Sequence, residues 1–435
     1  KSNVVIMGNN TYNSIHENHK PLKDRINIIL SKSIYPTLNK DNNPIYFNDI
    51  VKLFLYLESI KNKINNVFII GGSQIYNLFL EYKLINKLYI TKIKDSNYNC
   101  DVFFEFNEKE FILESSIIQN DNDKLLRTNK GNELEFKVYS YFNKEENKFI
   151  KTVNKILNKG VYNLDRSNVG TLSVFGKSFK YDIRNYRIPL FTHRKIFLRG
   201  IIEELLFFIS GKTNTKILEE KGVNIWKGHT SREFLDSRGL NNYKEGSYGP
   251  AYGFQLRHWG SEFIDDDTDY TNYGFDQLEY VIDLIKNNPT SRRILFSYWN
   301  PDVLNKVPLP SCHLIYQFHV NTSTNELSCS FYQRSNDFAL SGVFNVCSAS
   351  ILVFMLCKIC NLKPGRVIHS IGDIHIYMNQ IEVVKEFIQN NPLNFPLLLI
   401  NDPDNKIKKI EDFRYNHFKL LFYNSYKKYK IPMSI

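Results

Sequence analysis

Within the first ninety or so residues, short uninterrupted apolar runs alternate with segments of helical period. The runs are VVIM, RINIIL and NVFII, and the helical segments are IVKLFLYLESI and SQIYNLFLEY. A strand that is apolar on consecutive residues has no face to offer water, and strands joined through helices run parallel. These two facts predict a largely parallel sheet covered on both faces, with KLYITKI as a further strand. FILESSII and LEFKVYSYF read as two more strands joined by the polar turn NDNDKLLRTNKGN. The charged run NKEEN at 143–147 then breaks the pattern and marks a domain boundary. Beyond it, helix FIKTVNKILNKG stops at Gly160. The rest mixes helices (RGIIEELLFFIS, FDQLEYVIDLIKNN, NVCSASILVFMLCKIC, IYMNQIEVVKEFIQNN) with strands (RRILFSYW, HLIYQFHV, ELSCSFYQR, RVIHSIGDIHIY, PLLLI). The expected fold class is α/β followed by α+β.

A length of 435 residues fits two or three domains, and 43% hydrophobic with 23% charged residues is a globular composition. There are 56 basic and 45 acidic residues, a net +11 that favours an anionic partner. The basic residues are scattered rather than gathered in a stripe, so a solvated surface with phosphate-bearing small ligands is preferred to nucleic acid. Six cysteines at uneven spacing make no disulfide framework and imply a reducing, cytoplasmic setting. Cys357 and Cys360 form a C-x-x-C without a second pair, inside an apolar run, so helix packing is expected there and no metal site. No run of about 18 apolar residues is seen and no membrane span is expected. The chain opens on Lys1, directly in a strand-like run, as if its beginning were missing.

Three stretches carry chemistry. PLPSCH sets Cys312 between a proline-stiffened turn and a strand, and Arg334, Ser335, Asp337 and Asn345 follow twenty to thirty residues on. A thiol needs a nearby cation to react as thiolate, and phosphate needs guanidinium forks and a hydroxyl. A small buried residue is the alternative reading of Cys312. Gly71-Gly72-Ser73 closes the strand NVFII and opens a helix, as Gly8-Asn9-Asn10-Thr11 follows VVIM. Backbone amides at a helix start hold pyrophosphate, although a glycine pair also makes an ordinary turn.

With PLKDRINIILSK and YITKI, the residues from Lys1 to about Tyr141 resemble dihydrofolate reductase. The resemblance implies a truncated doubly wound sheet over 1–142, followed by a linker at 143–148. It implies NADPH held by Gly8, Asn9, Asn10, Thr11, Leu30, Ser31, Lys32, Gly71, Gly72, Ser73, Gln74, Ile75 and Tyr76. Ile15, Arg25, Ile70, Tyr76 and Thr91 would face folate, with Arg25 as a fork for a glutamyl carboxylate; a surface ion pair is its alternative. The family's opening strand, its loop over the nicotinamide and its acidic residue precede Lys1, so these residues alone are not expected to reduce dihydrofolate.

From 149 to 435 the chain resembles thymidylate synthase in eight ordered blocks: DRSNVGTLSVFG, EELLFFISGKTN, YGPAYGFQLRHWG, NPTSRRILFSYWNP, PLPSCH, YQRSND, FN and GDIHIY. This implies an α+β domain with a large mixed sheet that methylates dUMP with 5,10-methylenetetrahydrofolate. Cys312 would be the nucleophile, Glu204 a proton shuttle with Glu203 as the surface neighbour, and Tyr252 the group near the carbon 5 proton. Phosphate would meet Arg166, Arg334 and Ser335, and Arg292 and Arg293 of a second subunit, making a homodimer. His313, Gln333, Asn336, Asp337, Asn345, His375, Ile376 and Tyr377 complete the dUMP set. Asn345 would read uracil, because cytosine presents the reverse donor and acceptor pattern. Trp226, Asp337, Ser341 and Phe344 would bind folate. Ser341, Leu256 and His229 depart from the family pattern on the folate side, and KIPMSI resembles a closing tail. The leading reading is a bifunctional reductase and synthase. The alternatives are a synthase with an inactive reductase remnant, a dCMP hydroxymethylase, and a binding protein using the basic surface.

Overall fold

The computed structural model describes residues 1–33, 44–93, 99–119, 134–164 and 168–433. It divides into two compact units, Lys1–Asn143 and Lys144–Ile435. In the first, β1 (Ser2–Gly8), α1 (Asn9–Ser14), β2 (Arg25–Leu30), β3 (Ile45–Phe47), α2 (Ile50–Ile60), β4 (Ile64–Ile69) and α3 (Ser73–Glu81) form an α/β layer. Its four strands are all parallel, in the order β3-β2-β1-β4. β1 and β2 bury Val4, Val5, Ile6, Met7, Ile28 and Ile29, as their unbroken apolar text requires. β4 departs from that expectation: Val67 and Phe68 are about 40% exposed, at 39% and 42%. It is an edge strand, hydrogen-bonded on one side to β1 among the described residues, so it is not covered as a central strand is.

β5 (Lys87–Ile93), β6 (Phe111–Gln119) and β7 (Leu134–Tyr141) form a separate antiparallel sheet in the order β5-β7-β6. The polar turn expected between β6 and β7 lies outside the described residues.

The second unit begins with α4 (Lys144–Lys159), so residues 144–148 are the helix's first turn and not the expected linker. Its acidic side chains point inward: Glu146 is fully buried and accepts hydrogen bonds from the Thr192 and His193 amides at 2.7 and 2.8 Å. Then come β8 (Val161–Asn163), β9 (Thr171–Asp182), α5 (Leu198–Ile209), α6 (Lys216–Glu220), α7 (Arg232–Ser237), α8 (Tyr252–Arg257) and α9 (Gln277–Asn287). They are followed by β10 (Leu295–Ser297), β11 (His313–Asn321), β12 (Glu326–Asp337), α10 (Gly342–Cys360), β13 (Lys363–Tyr377), α11 (Ile381–Phe387), β14 (Leu397–Ile400) and β15 (Phe418–Leu421).

The main sheet has six strands, ordered β10-β11-β12-β13-β9-β8. β12 and β13 are parallel and the other pairs antiparallel, so the sheet is mixed. Parallel neighbours need a crossover, and α10 supplies it. Along β11 and β12 the side chains alternate, Tyr316, Phe318, Cys329 and Phe331 inward and Ile315, Gln317 and Tyr332 outward. β9 had no counterpart in the strand pattern read from sequence: its text TLSVFGKSFKYD is broken by Gly176 and two lysines. It pairs with β13 over eleven residue pairs. β13 also runs through Ile376 and Tyr377, so the helix expected from Ile376 starts only at Ile381.

α10 holds no unbroken run of 18 apolar residues and is apolar all the same. By length and composition it is apolar enough to cross a membrane, because Ser, Asn and Gly interrupt its apolar text without charging it. In the fold it is the central core helix, 72% buried, packed on β12, β13 and α5. Cys357 is buried on it, and none of the six cysteines forms a disulfide.

Candidate active site

In the first unit the glycine signals converge because their strands are parallel neighbours. Gly8 pairs with Leu30 across β1 and β2, and its amide donates to the Gly71 carbonyl at 2.8 Å. Three strands therefore end side by side, outside the carboxyl edge where open α/β sheets bind ligands. A side chain on Gly71, at φ 114°, would come within 3.2 Å of the Tyr76 hydroxyl. Gly72 caps α3 with no side-chain hydrogen bond; the Ile75 and Tyr76 amides already donate to its carbonyl, and those of Ser73 and Gln74, at the very start of the helix, are the ones offered to an anion. Thr11 lies 3.6 Å from where a Gly72 Cβ would stand, and Ile75 lies 3.4 Å from that of Gly8. Asn9 and Asn10 open α1, Ser73 and Gln74 open α3, the Ser31 hydroxyl lies 3.3 Å from that of Ser33, and Lys32 is exposed. This backbone-lined cradle fits a pyrophosphate.

Ile15 and Ile70 share one wall, packed on buried Val5, Met7 and Ile29. Arg25 is exposed at the opposite end of β2 from Leu30, its Nε donating to the Lys23 carbonyl at 2.8 Å. Thr91 is exposed on β5, in the separate sheet.

In the second unit the sulfur of Cys312 sits where the turn from Pro308 enters β11. Arg334, on the adjacent β12, is fixed from both ends: its amide donates to the Cys312 carbonyl at 2.8 Å. Its guanidinium donates to the carbonyls of Ser311 at 2.8 Å and Pro310 at 2.9 Å, with Nη2 3.8 Å from Cys312 Sγ. The same guanidinium lies over the Trp299 ring, 5.7 Å from its centre. A fixed cation thus stands beside a partly exposed thiol. Tyr252, buried at the start of α8, accepts the Cys312 amide on its hydroxyl at 2.7 Å, and burial pushes its phenol well above its ordinary range.

Glu204 lies on α5 and accepts the Trp226 indole N–H at 2.8 Å. Burial raises its carboxyl from 4.5 to about 7, and the indole bond only partly opposes this. Glu203, expected at the surface, is the more buried of the two side chains and pairs with Lys221 at 2.7 Å. It faces the other side of the helix, one residue being a turn of about 100°.

A buried polar cluster floors the site. Gln333 donates to the carbonyl of Ser335 at 2.9 Å and to Asn345 Oδ1 at 3.2 Å. It accepts from Asn336 at 2.9 Å and from His369 Nε2 at 2.8 Å. His313 meets the Tyr316 hydroxyl at 2.9 Å, and burial lowers its imidazole to about 3, so it stays neutral. Asp337 accepts the Gln380 amide at 2.8 Å and the Leu340 amide at 3.1 Å, and burial raises its carboxyl. Ser341 caps α10 beside it, its hydroxyl donating to the Asp337 carbonyl at 3.0 Å, with Phe344 one turn on and partly buried.

His375 meets Asp373 at 2.6 Å and stacks edge-on with Tyr377. The side chain of Ile376 points the other way, fully buried in the core, so only its backbone faces the site. Leu256 is buried on α8, and His229 packs edge-on against Trp226. Arg292 and Arg293 are exposed before β10, neither with an ion-pair partner among the described residues. Arg166 lies outside the described residues.

Four residues with no assigned role in the sequence reading help to shape the site. Trp299 faces Arg334, His369 faces Gln333, Gln380 holds Asp337, and buried Arg194 donates to the carbonyls of Ala339 at 2.8 Å and Leu340 at 3.1 Å. All four act through residues distant in sequence, which no local pattern reveals. The WNP after a strand was the one available signal.

The two units are a dihydrofolate reductase domain followed by a thymidylate synthase domain: residues 1–140 match the family model described as dihydrofolate reductase, and 147–435 that described as thymidylate synthase. The chain is 38% identical over 470 residues to a bifunctional dihydrofolate reductase-thymidylate synthase of Zea mays, covering 100% of this chain and 89% of that protein. It is 38% identical over 442 residues to the one of Paramecium tetraurelia (99% and 91%), and 34% over 458 to the one of Leishmania major (100% and 86%). The chain belongs to the bifunctional dihydrofolate reductase-thymidylate synthase family.

Proposed function

We propose that the second unit methylates dUMP to dTMP with 5,10-methylenetetrahydrofolate, releasing dihydrofolate, and that the first unit returns dihydrofolate to tetrahydrofolate. The observation that carries the synthase chemistry is the Cys312 sulfur 3.8 Å from a guanidinium that three backbone carbonyl and amide bonds hold in place. Cys312 adds as thiolate to carbon 6 of the uracil ring, which makes carbon 5 the nucleophile toward the folate methylene. Elimination of tetrahydrofolate, with loss of the carbon 5 proton, leaves an exocyclic methylene. Hydride from the folate then reduces it as the thiolate departs. Glu204, titrating near neutrality, relays protons, and Tyr252 holds the Cys312 amide next to the reacting sulfur.

Arg334 and Ser335 receive the phosphate, with Arg292 and Arg293 supplied by the partner of a homodimer. The outward face of the six-stranded sheet supports that partner: Phe175, Ile315, Tyr332 and Leu295 are exposed on it, an apolar surface suited to a second copy. Asp337, Ser341, Phe344 and Trp226 take the folate. In the first unit Gly8, Thr11, Gly71, Gly72 and the start of α3 hold NADPH, which supplies the hydride when bound. Six cysteines without a disulfide among them support a cytoplasmic location.

Incubation with dUMP and methylenetetrahydrofolate tests the reading. The parent forms dTMP and Cys312→Ala forms none; turnover by the variant would remove Cys312 from the mechanism.

A further inference from the structure

We propose that Gln333 is not a ligand contact but a positioning residue, which with His369 fixes the amide of Asn345 in the orientation that reads uracil and rejects cytosine. This deepens the synthase reading and rests on it.

A glutamine side chain has two N–H donors and two acceptor lone pairs. In Gln333 all four are used within the chain. Its Nε2 donates to the Ser335 carbonyl and to Asn345 Oδ1, and its Oε1 accepts from Asn336 and from His369 Nε2, at 2.8 to 3.2 Å. At 2% exposure it has nothing left to offer a nucleotide. The amide is also polarised by its surroundings. The Ser335 carbonyl can only accept, so Nε2 must face it.

On the other side, His369 is clamped. It is 1% exposed, its ring stacks on Phe331 with centroids 4.2 Å apart, and it stands opposite Phe331 across the β12–β13 pair. Burial lowers its imidazole to about 3, so it remains a neutral ring, and with Gln333 Oε1 turned toward it by the Ser335 carbonyl its one N–H belongs on Nε2. Asn336 could turn over, since its own Oδ1 has no hydrogen-bond partner. The Ser335 carbonyl therefore defines the direction, and His369, as the tautomer that donates to Oε1, locks it.

The consequence passes to Asn345. Because Gln333 presents an N–H, Asn345 must turn Oδ1 toward it. Nδ2 then remains to donate to O4 of uracil, and the second lone pair of Oδ1 to accept N3–H. Cytosine needs the opposite, an acceptor for its amino group and a donor for N3. Turning Asn345 over to meet it would set two N–H groups against each other at Gln333, a buried clash of donors. Discrimination of this kind comes from leaving polar groups unpaired with the wrong base.

The test is binding of dUMP and of dCMP, measured by calorimetry on the full chain, together with kcat and KM for dUMP. Gln333→Glu replaces the donor facing Asn345 with an acceptor and should lower the dUMP-to-dCMP affinity ratio by about tenfold or more, mainly through gained dCMP binding. His369→Phe keeps the ring on Phe331 and removes the donor. It should lower the ratio by roughly threefold or more while kcat for dUMP changes less than KM, and it decides the matter if Gln333→Glu does not fold. Loss of affinity for both nucleotides in equal measure, or an unchanged ratio, would overturn the proposal. A parent that binds neither nucleotide would overturn the synthase reading itself.

Discussion

At the scale of the residue, the site depends on groups whose titration is set by burial. Glu204 has its carboxyl raised from 4.5 to about 7. Between those values the folded chain binds a proton that the unfolded chain has released, so stability falls as pH rises through this window. The penalty is absent below 4.5 and fully present above about 7. Glu204→Gln should therefore flatten the decline of the thermal midpoint between pH 5 and pH 7.5, which calorimetry at several pH values would read; a variant with the parent's slope would count against this. The same substitution should reduce kcat by about 10²- to 10⁴-fold, the usual worth of a general acid or base. The residues the sequence could single out were those with side chains the proposed chemistry demands, Cys312, Arg334, Glu204 and Asn345. Gln380 and His369 were not, because each acts through a partner that only folding brings near. Glu203 was expected at the surface and is buried as well, since apolar neighbours on both sides of a helical pair leave its outward face undefined.

At the scale of the element, β12 and β13 carry most of the residues proposed to hold the nucleotide, and their separation is set by a glycine. A methyl group on Gly372 would lie 2.7 Å from the Tyr332 hydroxyl and 2.9 Å from the Arg334 carbonyl. Only the first of these can swing away; the second is backbone. Gly372→Ala should cost about 1–3 kcal/mol of stability. It should also raise KM for dUMP by moving Arg334, as steady-state kinetics and chemical denaturation would show together. An unchanged KM in a folded variant would mean that strand spacing does not govern the cation. Here too the sequence was readable in part. Strands with clean alternation, β11 and β12, were found near their observed limits, whereas β9, broken by glycine and lysines, is a strand only because β13 lies beside it. In the first unit the parallel strands were legible, but the exposure of β4 was not, since composition records apolarity and not what covers it.

At the scale of the whole molecule, the proposed homodimer makes a prediction that one subunit alone cannot satisfy. Cys312→Ala lacks the nucleophile and an Arg292→Ala/Arg293→Ala chain lacks the donated cations, so each alone should be inactive. Mixed and allowed to exchange, they should regain about a quarter of the parent activity, since half of the dimers are hybrid and each hybrid holds one complete site. No recovery in a mixture shown to contain hybrids would place both arginines in their own subunit's site or outside it.

The central helix adds a consequence for the life of the chain before it is folded. α10 is soluble only by virtue of its neighbours: on its own it has the length and apolarity of a lipid-spanning segment. The strand pair that shelters it straddles it in sequence, β12 made before it and β13 after. During synthesis the helix therefore leaves the ribosome with one of its two walls still unmade. For that interval it offers chaperones, membranes and other nascent chains the same greasy surface, and the rate at which β13 arrives sets how long the offer stands.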